Sequence, residues 1–346
     1  MKKILTIVMA LCLFSVSIFA NGSSEDNSQK TWDIKLSHAG PASENNDDYI
    51  GAKTIKDEIE KNSNGQITVT LYPGSQLGNY QEVMEQVDEG VLEIAHTSIG
   101  GVTPFLPEMA VVDLQYLIPN DEVVVELMKE GTFFDEMSKA IQEKLPNVNL
   151  VGVCDGGRWR SFYTTKKEVK DVSDLSGLKI RTISSPLQQE FTAQCGASAT
   201  PVAWNEVYTS LSSGIIEGLK IASPDIMSNN LDECLNYGVL DRHTFLFGFY
   251  FVSQSFLDSL PKNLKQVVID AIHTGTDTQT TFNQQKEVKA NQDFIAGGGK
   301  IHELTEEERA TFLPAKDAMK KWYVEKYGDE WLIKLENAIT QAENNL

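Results

Sequence analysis

At 346 residues the chain is long for one hydrophobic core and suits two domains. Its 49 acidic residues against 30 basic ones give a formal net charge of -19, which argues against nucleic acid and anionic membrane surfaces as partners. Hydrophobic content of 41% and charged content of 23% are ordinary for a soluble globular protein, and an anionic ligand would need local positive charge to overcome the overall field.

The first twenty residues read as a secretory signal peptide: Met1-Lys2-Lys3, then an apolar run from Ile4 to Phe19, then Ala20 at the cleavage point. A retained membrane anchor is the rival reading, and the segment is slightly short for a span. Residues 21–31 are polar, without periodicity, and are expected to be a disordered linker.

Trp32 to His38 alternates and predicts a first strand. Tyr49 to Lys61 carries an apolar stripe of Ala52, Ile55 and Ile59, so it predicts a helix, stopped by Asn64-Gly65. Ile67, Val69 and Leu71 alternate in a second strand. Tyr80 to Glu89 reads as a short helix and Leu92 to Thr97 as a third strand. This is the rhythm of a sheet with covering helices. Pro104 to Pro119 is a mostly apolar connection, Asp121 to Lys144 a helix interrupted near Gly131, and Asn149 to Cys154 a strand.

A second α/β unit follows. Leu178 to Ile183 alternates as a strand that ends beside Arg181, and a helix opens after Ser184-Ser185-Pro186. A guanidinium at the carboxyl end of a strand suits a carboxylate, because its planar fork makes two parallel charge-assisted hydrogen bonds. The plainer reading is a surface arginine or one paired with a structural Asp or Glu. Further on come a short strand (Ala199 to Val202), a helix (Trp204 to Ser212) and a strand (Ile215 to Ile221). An aromatic strand (Phe245 to Val252) and a long helix from Leu260-Pro261 through Ala290 come next. Lys300 to Leu304 is a short strand, and Thr305 to Leu346 is helical.

The chemistry is that of binding. No Gly-x-Ser-x-Gly elbow, His-Glu-x-x-His pair or dinucleotide fingerprint occurs, and the five histidines have no metal spacing. Gly297-Gly298-Gly299-Lys300 lacks the spacer and hydroxyl of a phosphate loop. Cys154, Cys195 and Cys234 read as small buried thiols, not a disulfide framework. The expectation is therefore no enzyme activity, no metal and no cofactor. Polar and cationic residues at strand ends (His38, Thr97-Ser98, Arg160, Arg181) suggest a cleft that closes on a small anion.

Several motifs in order resemble one family. Val69 to Gly78 is similar to a segment ending in Gly-x-Leu-Gly, and Phe105-Leu106-Pro107-Glu108 followed by Asp113-Leu114-Gln115-Tyr116 is similar to its Phe-x-Pro-Glu region. Trp159-Arg160 sits where an aromatic-Arg pair stands. Leu175-Ser176-Gly177-Leu178-Lys179-Ile180-Arg181 matches its most recognisable motif, and Glu206-Val207-Tyr208 through Glu217-Gly218 another. Over nearly the whole mature chain the sequence resembles the periplasmic solute-binding subunits of TRAP transporters, the DctP type.

The resemblance implies an α/β two-domain periplasmic binding protein, with an interdomain cleft, hinge strands and a long domain-spanning helix. Residues 32–157 plus about 246–285 would form one domain, and 158–245 plus about 286–346 the other. Arg181 would pair with the ligand carboxylate, Arg160 would be the second arginine, and His38, Ser98, Ser184 and Trp204 would face the cleft. The family commonly reads Asp-Gly-Gln-Glu-Asn-Pro where this chain has Glu217-Gly218-Leu219-Lys220-Ile221-Ala222. Ile221 offers neither the donor nor the acceptor of that Asn. The expected ligand is thus a small organic acid, a monocarboxylate with an apolar tail, unless Lys220 supplies a further charge. The expected partners are the TRAP membrane subunits, the chain itself a periplasmic monomer. The competing reading is a sensor domain or secreted enzyme on the same scaffold.

Overall fold

A computed structural model describes residues 30–129 and 131–346. The expected signal peptide, and all but the last two residues of the expected linker, lie outside the described residues.

The chain begins β1 (Trp32–Ser37), α1 (Asp47–Asn62), β2 (Ile67–Tyr72), α2 (Tyr80–Asp88) and β3 (Ile94–Ser98). Side chains set these boundaries. Asn46 caps α1 by accepting the Tyr49 N–H at 3.1 Å, and Asn79 and Glu82 close a capping box on α2. A 3-10 stretch (Pro107–Asp113) leads to α3 (Asp121–Leu127), α4 (Phe133–Lys144) and the 17-residue β4 (Val148–Thr164). The second unit holds β5 (Lys179–Thr182), α5 (Pro186–Gln194), β6 (Ser198–Pro201), α6 (Val207–Ser212), β7 (Gly218–Ile221) and α7 (Ser223–Ser228). Then come β8 (Tyr237–Ser253), α8 (Gln254–Ser259), α9 (Lys262–Ala296), β9 (Lys300–His302), α10 (Glu306–Phe312), α11 (Pro314–Tyr327) and α12 (Glu330–Asn345).

The nine strands of the described residues join one sheet, in the order β2-β1-β3-β8-β4-β7-β5-β6, with β9 added beside β8. The long strands β4 and β8 pair antiparallel along its middle. On one side, β3 lies against Val252 to Gly248 of β8 and ends at Ser98, level with Cys154 of β4. On the other, β7 lies against Thr164 to Ser161 of β4 and ends at Ile221, having run the opposite way. β1 and β2 run parallel to β3, and β5 and β6 parallel to β7. The carboxyl ends of two parallel strand sets therefore converge on residues 155–160 of β4. That junction is kinked: Asp155 pairs with Phe247 but Arg158 with Leu246, leaving Gly156 and Gly157 as a bulge. Glycine is required there, since a Cβ on Gly156 would stand 2.8 Å from the Gly248 nitrogen and Gly157 has φ of +138°.

Several elements differ from the sequence expectation. The strand expected over Asn149 to Cys154 continues to Thr164, because the bulge carries the ladder across the two glycines. The strand expected over Phe245 to Val252 likewise begins at Tyr237. The helical tail is three helices, and α9 runs on to Ala296. Short helices α7 and α8 were not foreseen. The three described cysteines are unpaired.

Candidate functional site

A cavity of about 70 Å³ lies over the kink, where the two sets of strand ends meet. Gly156 of the kink and Leu246, Phe247 and Gly248 of β8 line it.

One wall is cationic. Arg181 closes β5 and is 7% exposed. Its Nε donates to the Val202 carbonyl at 3.0 Å, and its guanidinium carbon stands 5.6 Å from the Trp204 ring centre. It forms no ion pair among the described residues. Burial, with Arg160 adding to it, pushes its pKa down to about 10. Arg160 lines the same cavity, but one Nη donates to Asp113 at 2.8 Å. Lys220 lines it too. Its ammonium turns away to donate to the Gln188 carbonyl at 2.9 Å, Gln188 Oε1 at 2.6 Å and Thr192 at 3.0 Å. Lys220 thus does not supply a replacement charge in the cleft beside Ile221. Burial, then the charge of Arg160, brings its pKa down to about 7.

The facing wall is acidic. Asp48, in the first turn of α1, accepts the Gly40 N–H at 2.9 Å. Its other oxygen lies 3.2 Å from His96 Nδ1, without hydrogen-bond geometry. Burial raises Asp48 to about 6 and lowers His96 to about 4, so the imidazole is neutral at neutral pH. Asp225, in α7, also lines the cavity.

Of the residues expected at the site, Arg181, Arg160, Ser98, Trp204 and Ile221 line this cavity together. Ser184 is exposed and lines an adjoining cavity of about 130 Å³ that shares Arg181, Ile183 and Trp204. His38 lines neither. It is buried beneath the strand end, 6.1 Å from the Tyr49 ring, and burial drops its pKa to about 3. Sequence reasoning missed Asp48, His96 and Asp225. His96 stands one residue before the Thr97-Ser98 that was singled out. Asp48 and Asp225 sit among polar residues after strands and carry no periodic signal.

Convergent strand ends, a hinge-like kink and a buried, unpaired arginine define a small-molecule capture protein of the open α/β type. A profile of the bacterial extracellular solute-binding proteins, family 7 (DctP), matches residues 37–328, and the chain belongs to that family. It is 28% identical, over 81% of its length and 82% of the relative's, to the ectoine/5-hydroxyectoine-binding periplasmic protein UehA of Ruegeria pomeroyi. It is 24% identical to the C4-dicarboxylate-binding periplasmic protein DctP of Rhodobacter capsulatus, over 84% and 86% of the two chains. Its fold is that of the two-domain TRAP periplasmic solute-binding proteins. The one from Anaerococcus prevotii, solved with bound D-glucuronate, superposes with a TM-score of 0.83 at 24% identity, covering 91% of this chain and 99% of that one. The chain is accordingly a TRAP-type solute-binding protein.

Proposed function

We propose that the protein works in the periplasm, takes up a small organic acid by its carboxylate at Arg181, and hands it to TRAP membrane subunits without chemically changing it. One observation carries this reading. The Arg181 guanidinium is buried at a strand end in the cavity, yet has a single backbone hydrogen bond and no carboxylate partner among the described residues. A buried cation without a counter-ion is costly, and a ligand carboxylate repays that cost through two parallel hydrogen bonds. Ser98, Trp204, Ile221 and Arg160 then surround the rest of the ligand. The names of the relatives support the reading, since a dicarboxylate and a sugar acid each present a carboxylate.

A thermal-shift screen of organic acids tests the proposal, because a molecule that binds only the native state raises the melting temperature. Hits should then lose about 100-fold or more in affinity by calorimetry in Arg181→Met, as truncating one partner of a buried charge pair costs about 2–5 kcal/mol. Unchanged affinity in that variant would sink the role given to Arg181.

A further inference from the structure

The acidic part of the cavity lining is not built for a simple acid. Asp225 is 8% exposed and lines the cavity, and its carboxylate has no hydrogen bond and no ion pair among the described residues. It leans over the kink so closely that a Cβ on Gly157 would stand 2.6 Å from its Oδ2. Asp48 lines the same wall and has only the Gly40 N–H and the edge of a neutral imidazole. Buried carboxylates in native proteins are almost always hydrogen-bonded or paired, so an orphan asks for an explanation.

No cation among the described residues makes an ion pair with Asp225, although the charge of Arg160 is felt there. Arg158, the nearest arginine along β4, is committed to Asp121, to Asp155 at 3.2 Å and to Glu287 at 3.0 Å, and does not line the cavity. Arg160 is held by Asp113 at 2.8 Å, and the Lys220 ammonium by Gln188 and Thr192. Asp47, behind Asp48, is served by Asn283 at 2.9 Å and Gln279 at 3.2 Å from α9, which donate to it and leave Asp48 and Asp225 as they are. A plain carboxylate bound at Arg181 would leave both of these side chains without a cationic partner. A ligand with a positive group at its other end satisfies both walls at once.

We infer that the ligand is a zwitterion, a small amino acid or a similar carboxylate with an ammonium or amidinium group, whose cationic end is held by Asp225 and Asp48 while Arg181 holds the carboxylate. The inference rests on the carboxylate reading of Arg181 and specifies the rest of the ligand. Burial, reinforced by the charges of Asp47, Asp48 and Asp155, holds the Asp225 carboxyl well above the usual carboxylate range, and a cation held against it favours the charged form.

Calorimetry on the full mature chain with matched pairs tests this: propionate against β-alanine, butyrate against 4-aminobutyrate, the protein amino acids, and succinate as the doubly negative member. At least one zwitterion should bind about ten-fold or more tighter than the plain acid of the same length, and succinate should bind weakest. Asp225→Asn keeps the shape and removes the charge. It should abolish that preference and improve plain-acid binding. Plain acids binding as tightly as their amino partners, an Asn variant that keeps the preference, or a panel in which no zwitterion binds would each overturn the inference. If plain acids bind and Arg181→Met abolishes their binding, the carboxylate reading stands although the zwitterion is wrong. If a zwitterion binds unchanged in Arg181→Met, the anchor role fails, and with it the ligand pose inferred here.

Discussion

Arg181 and Lys220 occupy the same cationic wall but meet their burial differently. Arg181 has a lowered pKa because it is buried, with the charge of Arg160 adding to the effect and no carboxylate paired to it. Its folded-state value of about 10 lies below the ordinary 12.5, so the unfolded chain binds its proton more tightly. The resulting destabilisation is fully present at any pH below about 10 and fades only above it. Arg181→Met should therefore stabilise the ligand-free protein at pH 7, on the order of 2–3 kcal/mol less whatever the lost Val202 bond and Trp204 stacking cost. Urea melts check this, and a clearly less stable variant would mean the arginine is structural. For Lys220 the folded value is about 7 against 10.5 unfolded. Its cost is complete below pH 7 and is relieved as pH rises toward 10.5. Relative to Lys220→Met, the wild type should thus gain on the order of a few kcal/mol between pH 6.5 and 9.5, measured by denaturant midpoints at both. The arginine, the serine and the isoleucine could be read from the sequence because they stand at the ends of alternating strands. Asp48 and Asp225 could not, since an isolated Asp after a strand looks like any helix-start residue until the sheet register brings the two loops together.

At the scale of elements, α1 and α9 decide how tightly the first half is closed. Gly275 of α9 meets α1 so closely that a Cβ would stand 2.3 Å from Ile55 Cγ1 and 3.0 Å from the Gly51 carbonyl. The intrinsic helix preference of Ala over Gly, about 1 kcal/mol, is too small to offset that overlap. Gly275→Ala should lower stability by about 1–3 kcal/mol, and adding Ile55→Ala should recover less than its own cavity costs. Chemical denaturation of the two single variants and the double variant gives the coupling; strict additivity would show that the helices do not touch as described. The same helix shows why sequence periodicity under-read it. Gln279 and Asn283 are fully buried on its inner face, donating to Asp47, and so break the apolar stripe that marks a helix. In β4 the alternation fails at Gly156-Gly157 because the strand bulges there while the ladder goes on, so only its first part was read as a strand. His38 stands just after the end of β1, as expected, is buried, and lines neither cavity.

For the whole molecule, the division into residues 32–157 with about 246–285, and 158–245 with about 286–346, is proposed here as the pair of bodies that close on the ligand. The bulge at Gly156-Gly157, facing Leu246 and Phe247 on β8, falls at that boundary, and Arg158 ties Asp121 and Asp155 on one side to Glu287 of α9 on the other. Two strands and one helix crossing a junction are stiff against shear and soft in bending, which suits closure. The net charge of -19 surrounds this motion with a negative field. An anion approaching the cleft is slowed by it, and salt, by shortening the screening length to about 8 Å at physiological strength, should speed capture. A zwitterion carries no net charge and is indifferent to the far field. Stopped-flow fluorescence of Trp204, which stacks on Arg181, can follow association from low to physiological salt. The association rate for an amino acid should stay nearly flat, and that for succinate should rise several-fold. An amino acid whose rate rises as steeply as succinate's would mean that the ligand arrives as an anion and that the acidic wall plays no part in capture.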